Sequence, residues 1–178
     1  MRIIAGDFRS RRLKTLRGLD LRPTPDRLRQ ALFNVLTPRV EGAVFLDAYA
    51  GSGAVGIEAL SRGAARAIFV ERGRAAADVI RENLRSLGLA NRADVLHAKA
   101  LSVLGRRSAD MVFLDPPYRL VQEYDGALRL LGETPGPLVM AQHDWHLKLE
   151  DSYGRLRCQR VLRHGDNCVS FFAPAEAG

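Results

Sequence analysis

The sequence predicts an α/β fold in which a mostly parallel β-sheet carries helices on both faces. Three observations indicate this class. Short apolar runs of strand length alternate with amphipathic segments from residue 43 onward, a glycine-rich turn follows the first run, and acidic residues follow several of them. Strands and helices that alternate in this way are typical of a Rossmann-like, doubly wound sheet.

The composition is that of a cytoplasmic globular protein. The chain has 178 residues, of which 47% are hydrophobic, and this content excludes a disordered chain. Two cysteines are too few for a disulfide scaffold, and the longest apolar runs are too short to span a membrane. The start of the chain reaches a charge too soon for a signal peptide. We expect a cytoplasmic monomer with no metal site.

Positive charge is concentrated in residues 1–42. This stretch holds ten Lys and Arg residues against four acidic residues, a net charge of +6, whereas residues 43–178 carry 17 basic and 16 acidic residues. A basic segment beside a nearly neutral remainder is typical of a nucleic-acid contact, because each neutralised phosphate releases counterions. The alternative is a solvated, Arg-rich surface, since 24 of the 27 basic residues are Arg. We therefore divide the chain at residue 42 into a basic extension and a main domain.

The first elements are predicted from local signals. A short hairpin of Arg2–Ile4 with Arg12–Thr15 is weakly supported. The segment Thr24-Pro25-Asp26 predicts a helix over Pro25–Leu36, with Thr24 as N-cap and Pro25 as the first helical residue.

The later elements follow from apolar runs and periodicity. Five strands are predicted, at Ala43–Asp47, Ala67–Glu71, Asp94–His97, Asp110–Asp115 and Leu138–Gln142. Helices are predicted between them, at Ala54–Arg62, Arg74–Leu87 and Asp125–Leu131. A hairpin of Arg155–Arg163 and Asn167–Ala173 turns at residues 164–166 and adds an antiparallel edge to the sheet.

A glycine-rich turn follows the first predicted strand. Its pattern, Gly51-x-Gly53-x-x-Gly56, opens a helix, and Glu71 ends the next strand, where an acid that binds ribose belongs. The arrangement predicts an adenosine-type cofactor, and NAD, FAD and S-adenosylmethionine all fit it. Asp47 precedes the glycines, and its carboxylate would repel a pyrophosphate but attract an ammonium group. The turn therefore favours S-adenosylmethionine.

A second motif, Asp115-Pro116-Pro117-Tyr118, follows the fourth predicted strand. Its acid, like the two acids above, ends a strand, where open α/β sheets bind ligands. The Asp115 carboxylate and the Pro116 carbonyl are suited to accept both hydrogens of an amino group, and Tyr118 offers a flat face to a base. The exocyclic amine of a nucleobase is a poor nucleophile, so drawing its protons toward acceptors, in line with a methyl sulfonium, favours methyl transfer.

With these motifs the sequence resembles the bacterial methyltransferases that act on N2 of one guanine in 16S ribosomal RNA, the guanine-966 type. The similar segments, in order and spacing, are Met1–Gly6, Leu21–Asn34, Leu46–Gly53 and Asp115–Tyr118. The resemblance implies the class I methyltransferase fold, with a seven-stranded, mostly parallel sheet and one antiparallel strand. It also implies S-adenosylmethionine without a metal, and 16S rRNA, or a small-subunit assembly particle, as the partner that residues 1–42 contact.

The resemblance further implies roles for individual residues. Those expected to bind the cofactor are Asp47, Tyr49, Gly51, Ser52, Gly53, Glu71, Arg72, Lys99, Ala100 and Asp115. Those expected to be catalytic are Asp115, Pro116 and Tyr118. Those expected to bind substrate are Arg9, Arg11, Arg12, Arg22, Thr24, Arg27, Pro117 and Tyr118. The segment Gln142-His143-Asp144 lacks the glutamate expected after the fifth strand, so no role is assigned to it.

Four other functions compete with this interpretation. A DNA adenine-N6 methyltransferase uses the same tetrapeptide, but nothing in the chain resembles a separate target-recognition domain. A protein-glutamine methyltransferase carries Asn in place of Asp115. Asp47 counts against an NAD-dependent oxidoreductase, and an intact Asp115 counts against an RNA-binding module without activity. We expect methylation of guanine N2 in 16S rRNA.

Overall fold

One mixed β-sheet with helices on both faces organises the chain. The computed structural model describes residues 1–16, 24–117, 119–133 and 136–175. The strands in these residues are β1 Val44–Asp47, β2 Arg66–Glu71, β3 Ala93–His97, β4 Met111–Leu114, β5 Leu138–Asp144, β6 Ser152–Tyr153, β7 Leu156–His164 and β8 Asn167–Pro174. The helices are α1 Asp26–Val40, α2 Ala54–Ser61, α3 Arg74–Ser86, α4 Ala100–Val103 and α5 Val121–Gly132, with a 3-10 turn at Ala90–Arg92.

The strands pair in the order β3-β2-β1-β4-β5-β8-β7-β6. The first five are parallel, β8 runs antiparallel to β5, and β7 and β8 form the predicted hairpin. The expected number of seven strands is wrong, because the described part of the sheet has eight. The additional strand, β6, has two residues that pair antiparallel with β7. Both β8 and β6 therefore run antiparallel to the five parallel strands, so the prediction of one antiparallel strand is also wrong. Two residues are too few to show a periodicity in the sequence.

The boundaries of α1 and α5 differ by several residues from those predicted, whereas α2 and α3 each end one residue early. Helix α1 begins at Asp26, because Pro25 has an extended ψ of 139° and flanks the helix instead of starting it. No side chain caps this end, so the N-cap predicted at Thr24 is wrong. Helix α1 continues to Val40, which is buried with the rest of its apolar face. Helix α5 extends past the predicted range at both ends.

Apolar side chains on the two sides of the sheet form the core. Phe45 and Phe113 pack with α1 on one side, and Leu46 and Leu114 pack with α5 on the other. Helices α2 and α3 cover β2 in a third cluster, which also contains Ile3 from the N-terminal segment. No helix within the described residues is long and apolar enough to cross a membrane.

The N-terminal segment is fixed to α2 by backbone and side-chain hydrogen bonds. Arg2 and Arg12 form an isolated antiparallel bridge, so the predicted hairpin is confirmed at this pair but does not extend to strands of the predicted length. The Glu58 carboxylate on α2 accepts hydrogen bonds from the backbone amides of Ile4, at 2.8 Å, and Ala5, at 3.0 Å. One side chain of α2 therefore anchors the backbone of the N-terminal segment.

Glu58 is also the centre of a buried cluster of charges. Its Oε1 atom accepts a hydrogen bond from Arg62 Nε at 2.8 Å, and its Oε2 atom lies 3.9 Å from Arg29 Nε. The side chains of Glu58 and Arg29 are both fully buried. Arg29 donates from Nη2 to the Arg2 carbonyl at 2.6 Å and to Asp26 Oδ1 at 3.0 Å. Burial lowers the pKa of Arg29 and outweighs the opposite effect of Glu58.

Candidate functional site

A cavity of about 1000 Å³ lies at the carboxyl ends of β1 and β4. Its walls come from the glycine-rich turn after β1, the loop after β4 and the start of α1. The predicted site residues that line it are Thr24, Asp47, Tyr49, Gly51, Ser52, Arg72, Asp115, Pro116 and Pro117. The structure therefore brings the two sequence motifs to one cavity, as expected for acids at the ends of neighbouring parallel strands.

The glycine-rich turn has the geometry that its residues allow. Gly53 precedes α2 with a positive φ of 82°, a conformation that favours glycine. Gly56 lies in the first turn of α2, where an added Cβ would come 2.3 Å from the ring of Phe69. The absence of a side chain at Gly56 lets α2 pack closely on β2, which fixes the start of this helix beside the cavity.

Glu71 holds the turn from the end of β2. Its Oε2 atom accepts a hydrogen bond from Gly51 N at 2.9 Å, and its Oε1 atom accepts one from Gly73 N at 2.6 Å. A carboxylate oxygen can accept more than one hydrogen bond, so Glu71 keeps acceptor capacity for a ligand. Glu71 contacts the backbone of Gly51, which lines the cavity, but Glu71 is not one of the described residues that line it.

Asp47 is a buried carboxyl group at the end of β1. Only 1% of the residue is exposed, and its Oδ2 atom accepts a hydrogen bond from Gly56 N at 3.1 Å. Burial raises the pKa of Asp47 to about 7, and the charge of Glu71 acts in the same direction, whereas the Gly56 hydrogen bond opposes them. A cationic ligand group would stabilise the charged form of this carboxyl, so the site fits an ammonium better than a phosphate.

Tyr49 connects the glycine-rich turn to α5. Its hydroxyl donates a hydrogen bond of 2.7 Å to Glu123 Oε2, and burial of the ring raises the pKa of Tyr49. Helix α5 follows the loop after β4, so this hydrogen bond joins the two motif-bearing parts of the site. The sequence gives no signal for it, because the two residues are 74 positions apart.

The loop after β4 forms the opposite wall of the cavity. Asp115 is half-buried, Pro116 is buried and Pro117 is exposed. The Pro117 carbonyl accepts a hydrogen bond from Leu120 N at 2.8 Å, which closes the loop before α5 begins. Tyr118, to which we assigned the base-stacking role, lies outside the described residues, as does Arg22.

Several predicted site residues lie away from the cavity. Lys99 and Ala100 are at the start of α4, and neither lines it. Arg9, Arg11 and Arg12 are exposed on the N-terminal segment. Arg27 lines a separate, open groove of about 550 Å³ between that segment and α1. Within the described residues, no group of three His, Cys, Asp or Glu side chains is arranged to hold a metal ion.

Other residues in the cavity wall have no counterpart in the predicted site. Asp26 lines the cavity from the first turn of α1, and Met1 does so from the N-terminal segment. Arg119 also lines it and directly follows the tetrapeptide, which is a signal that the sequence does provide.

Comparison with known proteins gives matches over nearly the whole chain. A family model described as conserved hypothetical protein 95 matches residues 1–173. A Bacillus subtilis protein named "Putative rRNA methyltransferase YlbH" is 36% identical over 184 residues, which cover 97% of this chain and 98% of that protein. The ribosomal RNA small subunit methyltransferase D of Escherichia coli is 45% identical over 121 residues, which cover 67% of this chain but only 61% of that enzyme.

Solved structures share the fold. The structure named "Putative methyltransferase yhhF" from Escherichia coli has a TM-score of 0.86 at 34% identity, with 99% of each chain covered. An RNA methyltransferase from Salinibacter ruber, in complex with S-adenosyl-L-homocysteine, has a TM-score of 0.67 at 20% identity, with 88% of this chain and 96% of that chain covered. At that identity the likeness concerns the fold alone.

Proposed function

Since the chain belongs to the family described as conserved hypothetical protein 95 and has the class I methyltransferase fold, we propose that it methylates N2 of a guanine in 16S ribosomal RNA. The observation that carries this proposal is the pair of carboxyl groups, Asp47 and Asp115, that face one cavity from neighbouring strands. The names of the relatives support ribosomal RNA as the substrate. The reaction would take place in the cytoplasm, with a monomer acting on the small subunit or an assembly particle.

The cavity has the groups that S-adenosylmethionine requires. Asp47 attracts the ammonium of the methionine end, and the turn at Gly51 and Ser52 offers backbone groups. Glu71 does not line the cavity, but it contacts the lining residue Gly51 and keeps acceptor capacity for the ribose. When bound, the cofactor supplies an electrophilic methyl carbon, whose bond to sulfur breaks as the bond to nitrogen forms. Lys99 and Ala100 lie outside the cavity wall, so we propose no adenine contact for them.

The loop after β4 orients and activates the amine. Asp115 and the Pro116 carbonyl accept the two hydrogens of N2, which turns the nitrogen lone pair toward the glycine-rich turn. As N2 forms its bond to carbon it becomes more acidic and loses one proton, for which the Asp115 carboxylate is the nearby acceptor. The assigned role of Tyr118 is to stack on the base.

The first experiment measures tritium transfer from labelled S-adenosylmethionine. Unmethylated small-subunit RNA, small-subunit particles and duplex DNA are each offered as acceptor, and the products are digested to nucleosides. We expect label in N2-methylguanosine. Label in DNA adenine would replace this proposal with a DNA adenine-N6 methyltransferase, and no transfer to any acceptor would contradict the proposed activity.

Cofactor affinity is expected to depend on pH through Asp47. Below its pKa of about 7 the carboxyl is protonated and loses its attraction for an ammonium. We expect S-adenosylmethionine to bind about 15-fold more weakly at pH 5.5 than at pH 7, a range in which an α-amino group stays largely protonated. Equilibrium titration at both values measures this ratio. The matched variant Asp47→Asn should bind weakly at both, and an equal pH dependence in it would assign the effect to another group.

We propose that the basic extension, residues 1–42, contacts RNA phosphates. The variant with Arg9, Arg11 and Arg12 replaced by Ala should bind small-subunit RNA more weakly. The slope of log affinity against log salt concentration should fall by about 2, as expected for three lost contacts to single-stranded RNA. The control variant replaces Arg85, Arg106 and Arg107 by Ala, which removes the same charge from another surface. Equal slopes for the two variants would show that the three arginines of the extension contribute no more to RNA binding than arginines elsewhere on the surface.

A further inference from the structure

A buried amide at the end of β5 has no partner for its oxygen. Gln142 is 3% exposed. In the described part of the chain, its Oε1 atom and two nitrogens of Arg29 are the buried side-chain polar atoms without a hydrogen bond. Such atoms are rare, because an acceptor taken out of water without a new partner destabilises the fold. The two Arg29 nitrogens belong to the charge cluster described above, whereas nothing described so far explains the unpaired oxygen of Gln142.

The strand register puts Gln142 beside Asp115. Leu114 on β4 pairs with Ala141 on β5, so the next residues along the two parallel strands are neighbours. The backbone of Gln142 is held in this position, because its carbonyl accepts a hydrogen bond of 2.7 Å from the Tyr124 hydroxyl.

The alternation of side chains places Gln142 on the cavity side of the sheet. Leu114 and Ala141 pack on the α5 side, whereas Phe113 and Met140 pack on the α1 side. Successive residues of a strand point to opposite faces, so the residues that follow Leu114 and Ala141 return to the α1 side. The cavity opens there, since Phe113 and the first residues of α1 line it. Gln142 is not itself one of the lining residues, so its buried amide has to turn toward the cavity to reach a bound base.

We propose that Gln142 Oε1 accepts the N1 hydrogen of the target guanine and so determines the specificity of the site for guanine over adenine. This inference rests on the proposed function. Guanine presents its N1–H and its N2 amino group side by side as donors. Asp115 and the Pro116 carbonyl are assigned to the amino group, and the adjacent N1–H needs one more acceptor when the base leaves water.

The same oxygen would disfavour adenine. The N1 atom of adenine carries no hydrogen and is itself an acceptor, so it would face Gln142 Oε1 without a donor between them. A site that is built to hydrogen-bond a group discriminates strongly against an analogue that lacks it. The guanine complex satisfies the buried oxygen, whereas the adenine complex leaves it unpaired.

The test replaces the target guanine by 2-aminopurine, which keeps the exocyclic amine but has no hydrogen at N1. Single-turnover methyl transfer is measured on small-subunit RNA with either base at the target position. We expect the unaltered protein to prefer guanine about 10- to 100-fold, as an unpaired buried acceptor would impose. The near-isosteric variant Gln142→Met should lose most of this preference by slowing transfer to guanine alone. Gln142→Glu should keep it, since it keeps an acceptor.

Two controls show whether a lost preference for guanine comes from misfolding of the variant, and whether the proposed function itself fails. Gln142→Met should bind S-adenosylmethionine within about twofold of the unaltered protein, and Gln159→Met, at an exposed position of β7, should keep the full preference for guanine. A Gln142→Met variant with an unchanged preference would overturn the inference and leave the proposed function intact. Failure of the unaltered protein to methylate the guanine RNA would instead overturn the proposed function.

Discussion

Replacement of Asp115 by Ala is expected to slow methyl transfer by about 100- to 1000-fold or more, while the affinity for S-adenosylmethionine stays within a few-fold. Loss of one preorganised polar group that acts on the reacting centre typically has an effect of this size. Asp115 lines the cavity at the end of β4, so the substitution removes the acceptor for an amine hydrogen and for the departing proton. Asp47 and the glycine-rich turn remain to bind the cofactor.

Single-turnover transfer to small-subunit RNA measures the first effect, and equilibrium binding of S-adenosylmethionine measures the second. Asp151→Ala is the matched control, because it removes an exposed carboxylate between β5 and β6, outside the cavity wall. Full activity in the Asp115→Ala variant would exclude the base-orienting role. A large loss of cofactor affinity would instead assign Asp115 mainly to cofactor binding.

Replacement of Glu58 by Ala is expected to lower the free energy of unfolding by about 3–5 kcal/mol, the range found when one partner of a buried ion pair is removed. The carboxylate is fully buried and accepts hydrogen bonds from Arg62 and from the amides of Ile4 and Ala5. Without it, these donors lose their acceptor, and the buried Arg29 keeps only Asp26 as a nearby carboxylate. Urea unfolding followed by circular dichroism measures the change.

The control for this prediction is Glu41→Ala, which removes an exposed carboxylate after α1 and should change stability by about 0.5 kcal/mol or less. The double variant Glu58→Gln, Arg29→Met should be more stable than Glu58→Ala, since it removes the buried cation and keeps an acceptor for one of the two backbone amides. Equal stabilities of Glu58→Ala and Glu41→Ala would show that the charge cluster does not stabilise the fold.

The elements that the sequence predicts well are those with a local signal. The five parallel strands and the closing hairpin are confirmed, because each is an apolar run or a pair of runs bounded by turn residues. The family resemblance is confirmed too, since the similar segments extend through both motifs. Strand β6 and helix α4 escaped prediction because two and four residues leave no periodicity.

The same distinction holds for the site. The placement of Asp47 and Asp115 at one cavity was predictable, because the ends of neighbouring parallel strands meet at one edge of a sheet. The contacts of Glu58 with Ile4 and of Tyr49 with Glu123 join residues 54 and 74 positions apart, and no local pattern reports them. Gln142 was noticed only as part of a segment that lacks an expected glutamate, whereas its unpaired oxygen is a property of the packed structure.

The buried carboxyl group of Asp47 also has a calorimetric consequence. With a pKa of about 7, it holds a proton in about half of the molecules at neutral pH. A ligand whose ammonium requires the charged form must expel that proton, so binding at pH 7 releases about half a proton per site into the solution. The buffer takes up this proton with its own heat of ionisation. The enthalpy of cofactor binding should therefore differ between phosphate and Tris buffers of the same pH.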